Sequence, residues 1–97
     1  MNEPVTIPIT DTLDLHTFVP SEIGDLLADY LAECQKAGIF SVRVVHGKGT
    51  GVLKKRVWAV LVKNAMVEKF YEAPAEAGGW GATIVEIKKV SPDMRQT

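Results

Sequence analysis

A chain of 97 residues with 46% apolar and 24% charged side chains has the material for one domain with a small core, and neither disorder nor a fibrous repeat fits that composition. The longest apolar run, residues 57–62, is far short of the ~20 residues of a membrane span, and the N-terminal MNEPV lacks the basic and apolar regions of a secretion signal. The formal net charge of -1 conceals an asymmetry: residues 1–35 hold seven acids and no Lys or Arg, whereas residues 36–69 hold eight bases and the single acid Glu68.

These absences set the expectation of a cytoplasmic protein without membrane contact. The single cysteine, Cys34, can form no internal disulfide, which suits a reducing compartment. A nucleic-acid partner would need the basic middle to face it and the acidic first helix to point away. Charge alone serves ordinary solvated faces equally well.

Pro4 and Pro8 read as an extended N-terminal arm or edge strand. In TLDLHT, residues 12–17, Leu13 and Leu15 alternate with Asp14 and His16, so a half-buried strand places the acid and the imidazole together on one surface. Ile23, Leu26, Leu27, Tyr30, Leu31 and Cys34 then recur at helical spacing, with Pro20 in the first turn, Glu22 at the positive end of the dipole and Gly38 as the stop. FSVRVVH, residues 40–46, reads as a second strand.

Thr50 is a plausible N-cap for a second helix to about residue 64, with Leu53, Val57, Val60 and Leu61 as its buried stripe. A third strand spans residues 67–73. After the loop PAEAGGWG, a fourth strand over residues 82–89 groups Thr83, Val85 and Ile87 on one face. The tail SPDMRQT reads as a polar, frayed end.

The order is βαβαββ. A strand, helix, strand unit makes the first two strands parallel, with both carboxyl ends on one edge. His16 and His46, the two histidines of the chain, fall at that edge, where open α/β sheets bind ligands.

The loop HGKGTG combines Gly47, Gly49 and Gly51, which let a ligand approach bare backbone, with the N-terminus of the second helix, which favours phosphate. Lys48 adds positive charge, and Lys54 and Lys55 lie one helical turn before Trp58. His46 adds a group that exchanges protons near neutral pH. The GxxxxGK[ST] spacing of a Walker loop is absent, and a tight β-to-α connection with a surface lysine also fits these residues. Asp14 beside His16 can fix a tautomer, raise basicity or help hold a divalent cation. No zinc pattern is present, and a labile Mg2+ or Mn2+ is left open as a cofactor. Trp80, in GGWGAT, either packs inward or stacks on something flat such as a base. Trp58, off the main stripe of the second helix, reads as structural.

LDLH at residues 13–16, HGKGTGVL at 46–53 and GGWGATIVEIK at 78–88, in that order, resemble the Smr domain, the small MutS-related domain found alone and at the end of MutS2 proteins. The resemblance covers residues 12–89. It implies an α+β two-layer sandwich within the α/β class, similar to the C-terminal domain of translation initiation factor three. Both helices would lie on one face of a mixed four-stranded sheet of order 1-2-4-3, with the last strand antiparallel. The organisation becomes an arm at 1–11, the domain at 12–90 and a flexible tail at 91–97.

The resemblance further implies cleavage or nicking of DNA or RNA, with the ribosome as a further partner in some members. It assigns Asp14, His16 and His46 as catalytic candidates. Gly47, Lys48, Gly49, Thr50, Gly51, Lys54, Lys55, Gly79, Trp80 and Gly81 are the candidates for holding nucleic acid. Many members have glycine after LDLH, where this chain has Thr17. Two functions follow as expectations: a Smr-type endonuclease, favoured as a monomer, or a noncatalytic nucleic-acid or ribosome-binding module using the same edge.

Overall fold

The computed structural model describes residues 12–89; the expected arm and tail lie outside them. Six main elements follow in chain order: β1 (Thr12–Asp14), α1 (Pro20–Lys36), β2 (Ser41–Val45), α2 (Val52–Lys63), β3 (Val67–Glu72) and β4 (Ala82–Ile87). Between β3 and β4 lie two single-turn 3-10 segments, Ala75–Ala77 and Gly79–Gly81. The sheet order is β1-β2-β4-β3. β1 runs parallel to β2, and β4 is antiparallel to both β2 and β3. The expected two-layer architecture and strand order are therefore present.

The core joins the helical stripe to the strand rows. Ile23, Leu27, Leu31 and Cys34 of α1 and Val57 and Leu61 of α2 are buried with Leu15, Val42, Val44, Val85 and Ile87. Alternation of period two explains the strand contributions, because Val42 and Val44 point one way while Ser41 and Arg43 point the other. Truncating a fully buried leucine such as Leu31 to alanine costs ~2–5 kcal/mol. Glu22 reaches back to the Val19 N–H at 3.2 Å, which ties down the start of α1. No helix among the described residues is long and apolar enough to cross a membrane.

Two local expectations are corrected. β1 is shorter than residues 12–17, because the Asp14 carboxylate accepts the His16 N–H at 3.0 Å and the Phe18 N–H turns back to Leu15 O at 2.9 Å. These local bonds replace the ladder. α2 is not capped by Thr50: its N-cap is Gly51, at φ 86°, with no side-chain bond. Only a residue tolerant of the left-handed region suits that corner, and an exposed threonine one position earlier is off register for capping.

Candidate functional site

The end of β2 carries His46 on the same parity as Val42 and Val44, so its ring points to the helical layer and is 3% exposed. Its Nε2 lies 2.8 Å from Thr83 Oγ1, and its Nδ1 lies 3.2 Å from Gly47 O. Trp58 Nε1–H donates to the same Thr83 oxygen at 2.8 Å. An indole nitrogen only donates, so the threonine hydroxyl is free to donate its proton to His46 Nε2 while His46 Nδ1–H donates to Gly47 O. Every group in the chain of contacts is then satisfied with a neutral imidazole. Burial pushes the His46 pKa below its ordinary value; Lys54 acts in the same direction and the Gly47 bond opposes both.

The end of β1 presents the opposite environment. His16 and Asp14 side chains are 59% and 54% exposed, and Nδ1 of the ring lies 2.5 Å from Asp14 Oδ1. The side-chain and main-chain bonds from His16 hold the Asp14 carboxyl below the usual carboxylate range. A carboxylate only accepts, so Nδ1–H is the donor and Nε2 is the ring atom left for a substrate.

Both histidines line one concave pocket of about 350 Å³ with Gly47, Gly49, Thr50, Gly51, Val52 and Leu53. The first helical bond of α2 runs from Lys55 N–H to Gly51 O, so the amides of Val52, Leu53 and Lys54 precede the helical ladder. Those donors and the positive end of the helix dipole make the wall of the pocket suited to an anion.

The remaining candidates lie on the other flank of the loop. The His46 and Gly47 N–H groups both donate to Gly81 O, at 3.0 and 2.9 Å, which clasps the loop to the start of β4. A Cβ on Gly81 would stand 3.0 Å from Lys48 Cγ and 3.5 Å from Gly47 C, so a side chain there would have to push the Lys48 stem aside by a few tenths of an ångström. The Lys48 stem thus lies over Gly81. Lys54 turns to Glu72, 3.1 Å away, and sits near the rings of Trp58 and Trp80. Lys55 is exposed, and Gly79 and Trp80 belong to the turn before β4. Trp58 packs edge-on against Phe70 at 5.0 Å, in keeping with a structural role.

Thr83 and Trp58 are the residues that the sequence reading did not connect to the site. The available signal was a threonine in an otherwise apolar inward row, Thr83, Val85 and Ile87. Among the described residues no three His, Cys, Asp or Glu side chains converge as a metal-binding group, and Asp14 Oδ1 is already engaged by His16. These donors do not form a Mg2+ or Mn2+ cage.

The Smr domain family model matches residues 13–88. The chain belongs to the Smr domain family. It is 42% identical over 76 residues to Endonuclease MutS2 of Carboxydothermus hydrogenoformans, covering 78% of this chain and 10% of that protein. Ribosome rescue factor SmrB of Shewanella oneidensis is 43% identical over 75 residues, covering 77% of this chain and 43% of the relative. The chain thus spans less than half the length of both relatives. The crystal structure of the Smr domain of Thermus thermophilus MutS2 superimposes with a TM-score of 0.77 at 32% identity, covering 80% of this chain and 98% of that one.

Proposed function

We propose that this Smr domain is a nucleic-acid endonuclease that seats a phosphodiester in the pocket between β1 and α2 and uses His16 for proton transfer. The observation that carries the reading is the pairing of an exposed imidazole with Asp14 at 2.5 Å, on the rim of a pocket walled by the loop and the start of α2. A binding cradle alone does not need that pair. The names of the two relatives, an endonuclease and a ribosome rescue factor, support a DNA or RNA strand as substrate and a ribosome as a further partner.

In this mechanism the free α2 amides hold the nonbridging phosphate oxygens and favour the charge that builds up at phosphorus. His16 Nε2 accepts the proton of the attacking hydroxyl, from water or from a ribose 2′ position, as the new P–O bond forms. The leaving oxygen takes a proton as the old P–O bond breaks, and the imidazolium is its donor. Asp14 keeps the proton on Nδ1 and stabilises the imidazolium, so the ring offers Nε2 in the required form. His46 acts through its bonds to Thr83 and Gly47, holding the loop in the shape that exposes its amides. Lys48 and Lys55 add positive charge along the strand's path.

The test is incubation of the protein with supercoiled plasmid and with single-stranded and structured RNA, with and without chelator, beside Asp14→Ala and His16→Ala. Loss of cleavage in both variants, with unchanged folding, is expected. Undiminished cleavage by both sinks the assignment. Salt-sensitive strand binding by a wild-type protein that cleaves nothing would favour the noncatalytic module.

A further inference from the structure

The flank of the loop opposite the pocket carries an aromatic surface that the mechanism does not use. Trp80 stands between two glycines in the turn before β4 and is 41% exposed. Lys54 Nζ lies 5.6 Å from its ring centroid and 5.2 Å from that of Trp58, within the reach of a cation–π contact with each. Glu72 holds the same ammonium at 3.1 Å.

The turn that bears Trp80 is fixed at several points. Gly79 N–H donates to Pro74 O at 3.0 Å, Gly81 N–H to Gly78 O at 3.1 Å and Ala73 N–H to Ala82 O at 3.1 Å. Arg43 Nη1 adds a bond to Ala77 O at 3.0 Å. Gly81 O receives the two amides of the phosphate loop. A large apolar ring is therefore held open to solvent on a rigid turn docked against that loop. Tryptophan is usually mostly buried, and this one keeps 41% of its surface exposed.

We propose that Trp80 is a stacking platform for an unpaired nucleobase of the strand whose phosphate occupies the His16 pocket, which makes the substrate single-stranded where it crosses the loop. The proposal rests on the phosphate-pocket reading and adds a second subsite to it. Every base offers a flat face, so the contact is indifferent to sequence. In a duplex those faces are covered by their neighbours, so the platform selects an unpaired strand. The geometry places proton transfer on one flank of residues 46–51 and base stacking on the other, with the backbone passing over the glycines.

The experiment measures binding of the full chain carrying His16→Ala, which keeps strands intact. The probes are a single strand of about ten nucleotides, its equal-length abasic counterpart and a blunt duplex, each in ribose and deoxyribose form where it can be made. The base-bearing strand is expected to bind about ten-fold or more tighter than the abasic strand and to quench the fluorescence lost in Trp80→Phe. Trp80→Ala should erase that difference while leaving abasic binding unchanged, and Trp80→Tyr should keep most of it. Equal binding of base-bearing and abasic strands by the parent, or a difference that survives Trp80→Ala, overturns stacking alone. Failure of every strand to bind overturns the phosphate pocket as well. Matching melting curves for the tryptophan variants confirm that folding is intact.

Discussion

His16 and His46 end neighbouring parallel strands and face the same pocket, yet their surroundings differ in almost every respect. His16 is exposed, bonded to a carboxylate on one nitrogen and available on the other. His46 is buried and bonded on both nitrogens, and burial and Lys54 favour its neutral form against the opposing Gly47 bond. On the proposed reading, two residues of one type at one sheet edge divide the labour, one exchanging protons and the other fixing the backbone. Residue identity and location did not separate them; burial and hydrogen-bond capacity do.

The sharpest way to break the comparison is to exchange the losses. His16→Ala should lower cleavage by about 100-fold or more with little change in thermal stability, read from initial rates and a melting curve. His46→Ala should do the reverse in kind: it leaves the buried Thr83 hydroxyl without the acceptor of its proton and Gly47 O without its donor, and denaturant titration should show a loss of about 1–3 kcal/mol. Activity under conditions where His46→Ala is fully folded then reports the displaced loop. If His46→Ala retained full stability and lost all activity, the two roles would have to be exchanged.

A smaller effect sharpens the His16 side. Asp14→Asn should lower cleavage by about 10-fold or more, because the amide can offer Nδ1 a donor as well as an acceptor and so disturbs the tautomer. The Asp14 pKa is depressed in the fold, so its contribution to stability is present above about pH 3.9 and is lost as the pH falls through the lowered value. The pair is half exposed, so this acid-side loss should be slight.

The smallest effect concerns His46 and pH. Its folded pKa is also depressed, so the unfolded chain binds more protons below the ordinary histidine value of about 6.5. The neutral ring's stabilising contribution is therefore full above that pH and diminishes as the pH falls toward the folded value. Melting temperature measured from pH 8 down to about pH 5 should decline in the parent, and His46→Gln should flatten part of that decline.

The fold was more legible in the chain than this contrast. Val42, Val44 and His46 share one parity and Thr83 shares a row with Val85 and Ile87, but the sequence reading sets His46 at the ligand-binding edge beside His16 and not among buried partners. Helix periodicity located α1 from Ile23 to Cys34, and the parallel β1–β2 pair followed from the intervening helix. The order β1-β2-β4-β3 came from resemblance, because alternation says which face a residue occupies and not which strand lies beside it. The Trp58, Thr83, His46 chain was illegible for the same reason: it joins three elements through contacts between residues 25 and 37 positions apart. Thr50 was misread as a cap because composition alone does not reveal the left-handed turn at Gly51.

The single carbonyl of Gly81, accepting both His46 and Gly47 amides, makes the pocket dependent on the last strand of the sheet. A chain synthesised only as far as α2 contains LDLH, HGKGTG and the helix, but has nothing to receive those amides. The loop that walls the pocket is therefore held by a contact from beyond α2, outside the motif itself. A chain lacking Gly81 and β4 carries the same residues without the carbonyl that clasps their loop.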